Sequence, residues 1–319
     1  MIFSRSIINL RMNSFNKYFL FIIASLHAIL LYSCGSAAVL YMDSANQKYS
    51  EGDYLGAIRD FSAVIELEPE NFNAFFKRGN VYSTIKKHQW AIEDYNKVTD
   101  LNSSFAQAFL NRGIEYINIE NYKAAMEDFN RAIELNFETE LAYFSRAYTW
   151  NMLGNDENAI MDYSKAIAIN PAYVQAYVNR GNLRSHLNDF TGAIEDYTKA
   201  IEINPEEANA YVSRAGDKTI TGNIKGAIED FTAAIRLNPD YNELYYQRAE
   251  LSMITGNYKD AIEDFNIVIK NDSTISAAFL KRGLAKINLK KKNEGCIDLT
   301  RAGELGNIYA YEEIQKHCR

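Results

Sequence analysis

Proline is scarce in this chain of 319 residues, with four in all, and cysteine is scarcer, with three. Histidine numbers four and tryptophan two. Each shortage excludes something. Few prolines and a modest 16 glycines, beside many aromatics, exclude a disordered chain and favour an ordered, helical one. Cys34, Cys296 and Cys318 have no paired zinc-type spacing, and His27, His88, His186 and His317 are scattered. No nucleophile–base pattern and no phosphate-cradling glycine loop is present. Glu-Asp pairs recur, but adjacent helix residues do not face each other, so they are not paired catalytic carboxylates. No metal, no cofactor and no enzymatic activity is expected. Net positive charge is missing too. The formal charge of −7 argues against a phosphate-backbone partner, so no nucleic acid is expected.

Aromatics, by contrast, are plentiful: 22 tyrosines and 17 phenylalanines. They fall at fixed intervals. The word "AIEDY" at Ala91 returns as "AIEDF" at Ala227 and Ala261. Its first letter aligns as Ala57, Ala91, Ala125, Ala159, Ala193, Ala227, Ala261 and Gly295, each 34 residues after the last. A fixed period of about this length marks stacked helix pairs, none of which buries its apolar face alone. Numbering places from residue 38, an aromatic stands at place four and a small residue at place eight. Another small residue opens the word at place twenty, and an aromatic stands at place twenty-four in seven repeats. Small residues let two helix backbones approach, and aromatics bury large area between them. All four prolines, at 69, 171, 205 and 239, share place thirty-two and end the second helix.

These columns resemble the tetratricopeptide repeat family, over eight repeats spanning 38–309. The resemblance implies an all-α, right-handed α-α superhelix of eight 34-residue repeats, with 310–319 as an amphipathic, polar-backed C-terminal capping helix. It also implies that the first helix of each repeat lines a concave groove for peptide or protein partners. Exposed groove places six and nine supply the candidates Asn46, Lys77, Asn80, Asn111, Ser145, Tyr148, Asn179, Asn182 and Gln247. The Lys at place five used by carboxylate-clamp co-chaperones is absent. Asn carries both donor and acceptor, which suits an extended peptide backbone. Asn is also simply common in this chain. A carrier of small ligands or glycans in the groove is the alternative reading.

Two charged columns run through the array. Asp stands at 60, 94, 128, 162, 196, 230, 264 and 298. Arg stands at 78, 112, 146, 180, 214, 248 and 282, with Ser44 in the first repeat. In full these are Asp60, Asp94, Asp128, Asp162, Asp196, Asp230, Asp264 and Asp298, against Arg78, Arg112, Arg146, Arg180, Arg214, Arg248 and Arg282. Places seven and twenty-three lie at similar heights on facing helices. Opposite charges in near-equal number favour a structural Arg–Asp pair over a charged ligand stripe.

The first residues read differently. Arg5, Arg11 and Lys17 precede an apolar run from Tyr18 to Tyr32, shorter than the ~20 residues of a spanning helix. Residues 1–33 read as a secretory signal. Leu31, Ser33 and Cys34 resemble the lipobox of bacterial lipoproteins. That implies lipidation of Cys34, a short linker over 34–37, and a place in the bacterial cell envelope, at the outer membrane. The membrane would then be a partner through the N-terminus. An uncleaved anchor and a start at Met12 are the alternatives. Cys296 and Cys318 read either as small apolar core residues or as a disulfide, which an exported protein can form.

Overall fold

The computed structural model describes residues 37–319; the signal, Cys34 and the Met12 start lie outside them. Seventeen helices and no strand occur among the described residues. They fall into two compact units, which meet in sequence at Gly154 and Asn155. The first unit holds α1 (37–50), α2 (Tyr54–Leu67), α3 (Phe72–Thr84), α4 (His88–Leu101), α5 (Ala106–Asn118), α6 (Tyr122–Glu134) and α7 (Glu140–Met152). The second begins with α8 (Asp156–Ile169), α9 (Val174–His186), α10 (Phe190–Ile203) and α11 (Ala208–Ile220). It continues with α12 (Ile224–Leu237), α13 (Asn242–Ile254), α14 (Tyr258–Asn271), α15 (Ser276–Asn288), α16 (Lys292–Glu304) and α17 (Ile308–His317).

The helix ends have local causes. Asp53, Asn71, Asn121, Asn155, Asp189 and Asn223 accept a first-turn N–H with their side chains. The turn inside a repeat needs one left-handed residue. Gly52, Gly154, Gly222 and Gly256 supply it with φ between 76° and 82°. Lys86, Glu120, Asn188 and Lys290 adopt the same conformation without glycine's freedom. Pro69, Pro171, Pro205 and Pro239 each stand two residues beyond a helix end.

Within each unit, the place-twenty-four side chains form the spine of the core. Phe61, Tyr95, Phe129, Tyr197, Phe231, Phe265 and Leu299 are all buried. Place eight explains why they fit: a Cβ at Gly113 would come within 2.6 Å of the Phe129 ring, and one at Gly181 within 2.8 Å of Tyr197. Core density leaves no room for such additions.

The capping helix departs from expectation at its start. It begins at Ile308, because the Asn307 side chain accepts from the Tyr309 N–H and so starts the helix before 310. Ala310, Ile314 and Cys318 pack against Phe279, Leu280, Leu299 and Ala302, and Tyr311 lies against α16, its hydroxyl donating to the Gly303 carbonyl at 3.2 Å. The exposed side of α17 carries the polar Glu312, Gln315 and Lys316 together with Ile308 and Tyr309. A disulfide joins Cys296 on α16 to Cys318, with Cα atoms 5.8 Å apart.

Candidate functional site

Arginine at place seven is fully engaged inside the fold. In repeats 2, 3, 5, 6, 7 and 8 it clamps the place-twenty-three aspartate of its own repeat bidentately. Nε lies 2.8–2.9 Å from Oδ2 and Nη2 2.6–2.7 Å from Oδ1. The third nitrogen, Nη1, reaches back to place twenty-five of the preceding repeat. There it meets Ser62, Asn96, Asn130, Ser164, Thr198, Thr232 or Asn266 at 2.7–3.0 Å. The guanidinium also lies over the place-four ring three residues earlier, 5.3–5.8 Å from its centre. Arg146 belongs to this set through Asn130 and Tyr143. In the first repeat, Ser44 and Lys48 both donate to Asp60 at 2.6 Å and replace the missing arginine.

The aspartates are buried, and the balance of forces differs among them. Burial pushes the Asp94 and Asp128 carboxyls up against the pull of Arg78 and Arg112. At Asp60 burial also pushes up, but Lys48 and Ser44 outweigh it and hold the carboxyl below its ordinary range. A stripe whose charges close on each other has little left for a ligand.

The candidate groove residues occupy places six and nine, and the structure ties these places to each other. The side chain at place nine meets the side chain at place six of the next repeat. Asn111 Nδ2 donates to Asn80 Oδ1 at 2.9 Å, and the Tyr95 hydroxyl donates to the same oxygen at 2.7 Å. In the second unit, Asn182 Oδ1 accepts from Tyr197 at 2.9 Å and from Ser213 at 3.4 Å. Lys281 pairs with Glu250 at 2.9 Å by the same rule. Lys77, Tyr148, Asn179 and Gln247 are half-buried on the same helix face, as is Asn46, and Asn182 is exposed. Gln247 donates to Glu243 of its own helix at 2.6 Å. Ser145 is the correction: it is buried at 6 % exposure and cannot line an open groove.

Two buried acids beneath these amides went unnoticed in the sequence reading. Glu115 and Asp217 both stand at place ten, where other repeats carry Val, Leu, Thr, Gln or Ala. Glu115 accepts from Ser83 at 2.5 Å and from His88 Nδ1 at 2.6 Å. It floors a cavity of about 270 Å³ lined also by Tyr49, Asn80, Tyr95 and Asn111. Asp217 accepts from Ser185 at 2.7 Å, but its Oδ2 is buried with no partner, alone in this among the described residues. Burial pushes its carboxyl up, against the Ser185 hydrogen bond. Tyr246, also facing acids, is pushed up to about 12 by burial and by the charges of Glu250 and Glu243. A charged residue at a usually apolar place is the signal that would have found both acids.

Family models described as tetratricopeptide repeat or TPR repeat match residues 45–85, 72–105, 106–138, 152–185, 174–207 and 221–274. Together they span more than half of the chain, and the matches over 72–105, 106–138 and 174–207 each cover one helix pair. The chain belongs to the tetratricopeptide repeat family. This tetratricopeptide repeat protein has no match among curated proteins. Among solved structures, MamA is 30% identical with a TM-score of 0.51, covering 55% of this chain and 95% of its own. YrrB, described as a TPR protein with an unusual peptide-binding site, is 23% identical with a TM-score of 0.51, covering 57% and 93%. The C-terminal part of a TPR repeat-containing protein from Cytophaga hutchinsonii has a TM-score of 0.64 at 15% identity, covering 74% and 98%. The last two likenesses concern the fold alone.

Proposed function

We propose that this repeat protein is a non-enzymatic scaffold that holds peptide or protein partners against places six and nine, and that it is exported and lipid-anchored through Cys34 at the bacterial outer membrane. The observation that carries the scaffold reading is closure of the Arg–Asp ladder. With Arg and Asp of the ladder spent on each other, the polar groups at places six and nine are mostly amides and hydroxyls, with Asp43, Lys77, Lys281 and Glu250 as the charges. Such groups suit a peptide backbone rather than a charged small molecule. The cavity above Glu115, about 270 Å³, is below the ~300–1,000 Å³ usual for a small-ligand pocket. That weighs against the carrier of small ligands or glycans. YrrB, with the same fold, is described as having a peptide-binding site.

Export draws on the basic start, the apolar run and the lipobox-like residues before Cys34. The Cys296–Cys318 disulfide fits the same reading, because such bonds persist in oxidising compartments. Photo-crosslinkers at positions 111 and 179 in intact cells test the scaffold. Discrete crosslinked proteins are expected, and they disappear when Asn182 is replaced by a bulky residue. No crosslink at either position sinks the groove assignment. Metabolic acyl labelling, lost in Cys34→Ser, tests the anchor.

A further inference from the structure

Place eleven carries a second cation for several ladder aspartates. Lys48 meets Asp60 at 2.6 Å, Arg184 meets Asp196 at 3.0 Å, and Lys218 and Lys286 meet Asp230 and Asp298 at 2.8 Å. In repeats 5 and 6 the same cation also reaches the place-nineteen carbonyl, Gly192 at 3.2 Å and Gly226 at 3.5 Å.

Repeat 7 has Ser252 at this place, on α13. Its ladder aspartate, Asp264, has Arg248 as ion-pair partner at 2.7 Å and no lysine beside it. A cavity of about 240 Å³ opens there, lined by Ser252, Asp260, Glu263, Asp264, Arg248 and Thr232. Asp260 is place nineteen of this repeat, so the carbonyl that completes the cation's shell elsewhere belongs to a cavity residue. Ser252 is 3 % exposed and lines the cavity. Three carboxylates and one guanidinium line it. No group of His, Cys, Asp and Glu among the described residues is arranged to hold a metal ion.

We propose that this cavity binds a primary alkylammonium, which takes the position that a lysine ammonium of this chain takes in repeats 1, 6 and 8. An ammonium has three donors, matching Asp264 Oδ2, the place-nineteen carbonyl and the Ser252 hydroxyl. The alkyl stem runs out along Ile228, which also lines the cavity. The source is a free amine or the lysine of a docked protein; both present the same group. The site lies apart from places six and nine and does not depend on the scaffold reading.

The test uses the full chain with its disulfide intact, at constant ionic strength, with the thermal midpoint as readout. n-Butylammonium is expected to raise the midpoint saturably. Tetramethylammonium, equal in charge but without N–H donors, is expected to leave it unchanged. Ser252→Lys supplies the ammonium internally, so it raises the midpoint by about 2 °C and abolishes the butylammonium response. Glu263→Gln, outside the ladder, weakens butylammonium at least threefold. Equal responses to both ammonium ions overturn the proposal, as does a full response in Ser252→Lys. If Ser252→Lys does not fold, unchanged affinity in Glu263→Gln overturns it alone. Spermidine binding more tightly than a lysine-containing pentapeptide assigns the free amine. The reverse order, lost on Nε-acetylation, assigns a partner's lysine.

Discussion

Arg180 grips Asp196 with two parallel hydrogen bonds, Nε to Oδ2 at 2.9 Å and Nη2 to Oδ1 at 2.6 Å. The same guanidinium spans to Ser164 of the preceding repeat at 2.8 Å and covers the Tyr177 ring. One side chain thus joins the two helices of a repeat and two successive repeats. Asp196 further accepts from Arg184 at 3.0 Å. Breaking such a buried pair strands a charge, whereas replacing both partners does not.

Asp196→Ala is therefore expected to cost about 3–5 kcal/mol of stability. Arg180→Met combined with Asp196→Leu should cost clearly less than the sum of the single changes. Denaturant titration of the four proteins checks this. Additive losses would mean that the two residues do not act as a pair.

Asn80 is the hub of the first-unit groove cluster, accepting from both Tyr95 and Asn111. Asn80→Ala leaves the buried Tyr95 hydroxyl without its partner and is expected to destabilise by about 1–3 kcal/mol. Asn111→Ala removes only one donor from a half-buried site and should cost less than 1 kcal/mol, in the ordinary range for a single hydrogen bond. The two variants separate folding from partner capture: only Asn111→Ala is suited to a binding assay.

Asp217 gives a pH dependence of known sign. Its carboxyl is raised in the folded protein, so its ionised form is disfavoured there relative to the unfolded chain. Its contribution to stability is present below the unfolded value and declines as pH rises through the folded value. Asp217→Asn keeps an acceptor for Ser185 and removes the charge. The variant should be more stable than the parent at pH 7, by on the order of 1 kcal/mol, with the advantage vanishing at low pH. A pH series of melting curves checks the crossover. A constant difference at every pH would rule out the buried charge as its cause.

The Cys296–Cys318 bond closes a loop of 22 residues between α16 and the end of α17. Loops of this size are worth roughly 3 kcal/mol in the chain-entropy account. In a repeat array that stabilisation stays local, since each repeat contacts only its neighbours. Reduction should raise amide exchange across α16 and α17 and leave α9 and α10 unchanged. A thiol count on the unreduced protein should find neither cysteine free.

Gly181 is predicted to refuse a methyl group. Its Cβ would lie 2.8 Å from the Tyr197 ring, which is itself fixed by the hydrogen bond to Asn182. Gly181→Ala should cost about 1–3 kcal/mol by overpacking. Gly216, on α11, faces open space, and Gly216→Ala should be neutral or slightly stabilising, as helix propensity favours Ala.

The repeat register and the helix ends were legible because their causes are local and recur every 34 residues. A small residue at 113, an aromatic at 129 and a proline at 171 each carry their reason in a few neighbouring letters. The charged columns were legible as columns, but not the third partner of each arginine. The Ser, Thr and Asn residues at place twenty-five vary in type, so no single letter repeats. Only their shared ability to accept a hydrogen bond at one point in space unites them. The groove amides were legible by place. Their mutual bonds were not, because a contact between place nine and the next place six depends on how closely successive repeats stack.

The sequence by itself determined that this protein is an array of helix pairs in one register, since periodic apolar and small residues admit no other burial. Tertiary structure decided which polar groups are spent and which remain. Glu115 finds Ser83 and His88, Asp217 finds only Ser185, and Asp264 stands beside a cavity where its counterparts hold a second cation. The physical reason is that hydrogen bonds act over about 3 Å and depend on direction. Two sites with the same letters can therefore differ in what they still offer a partner.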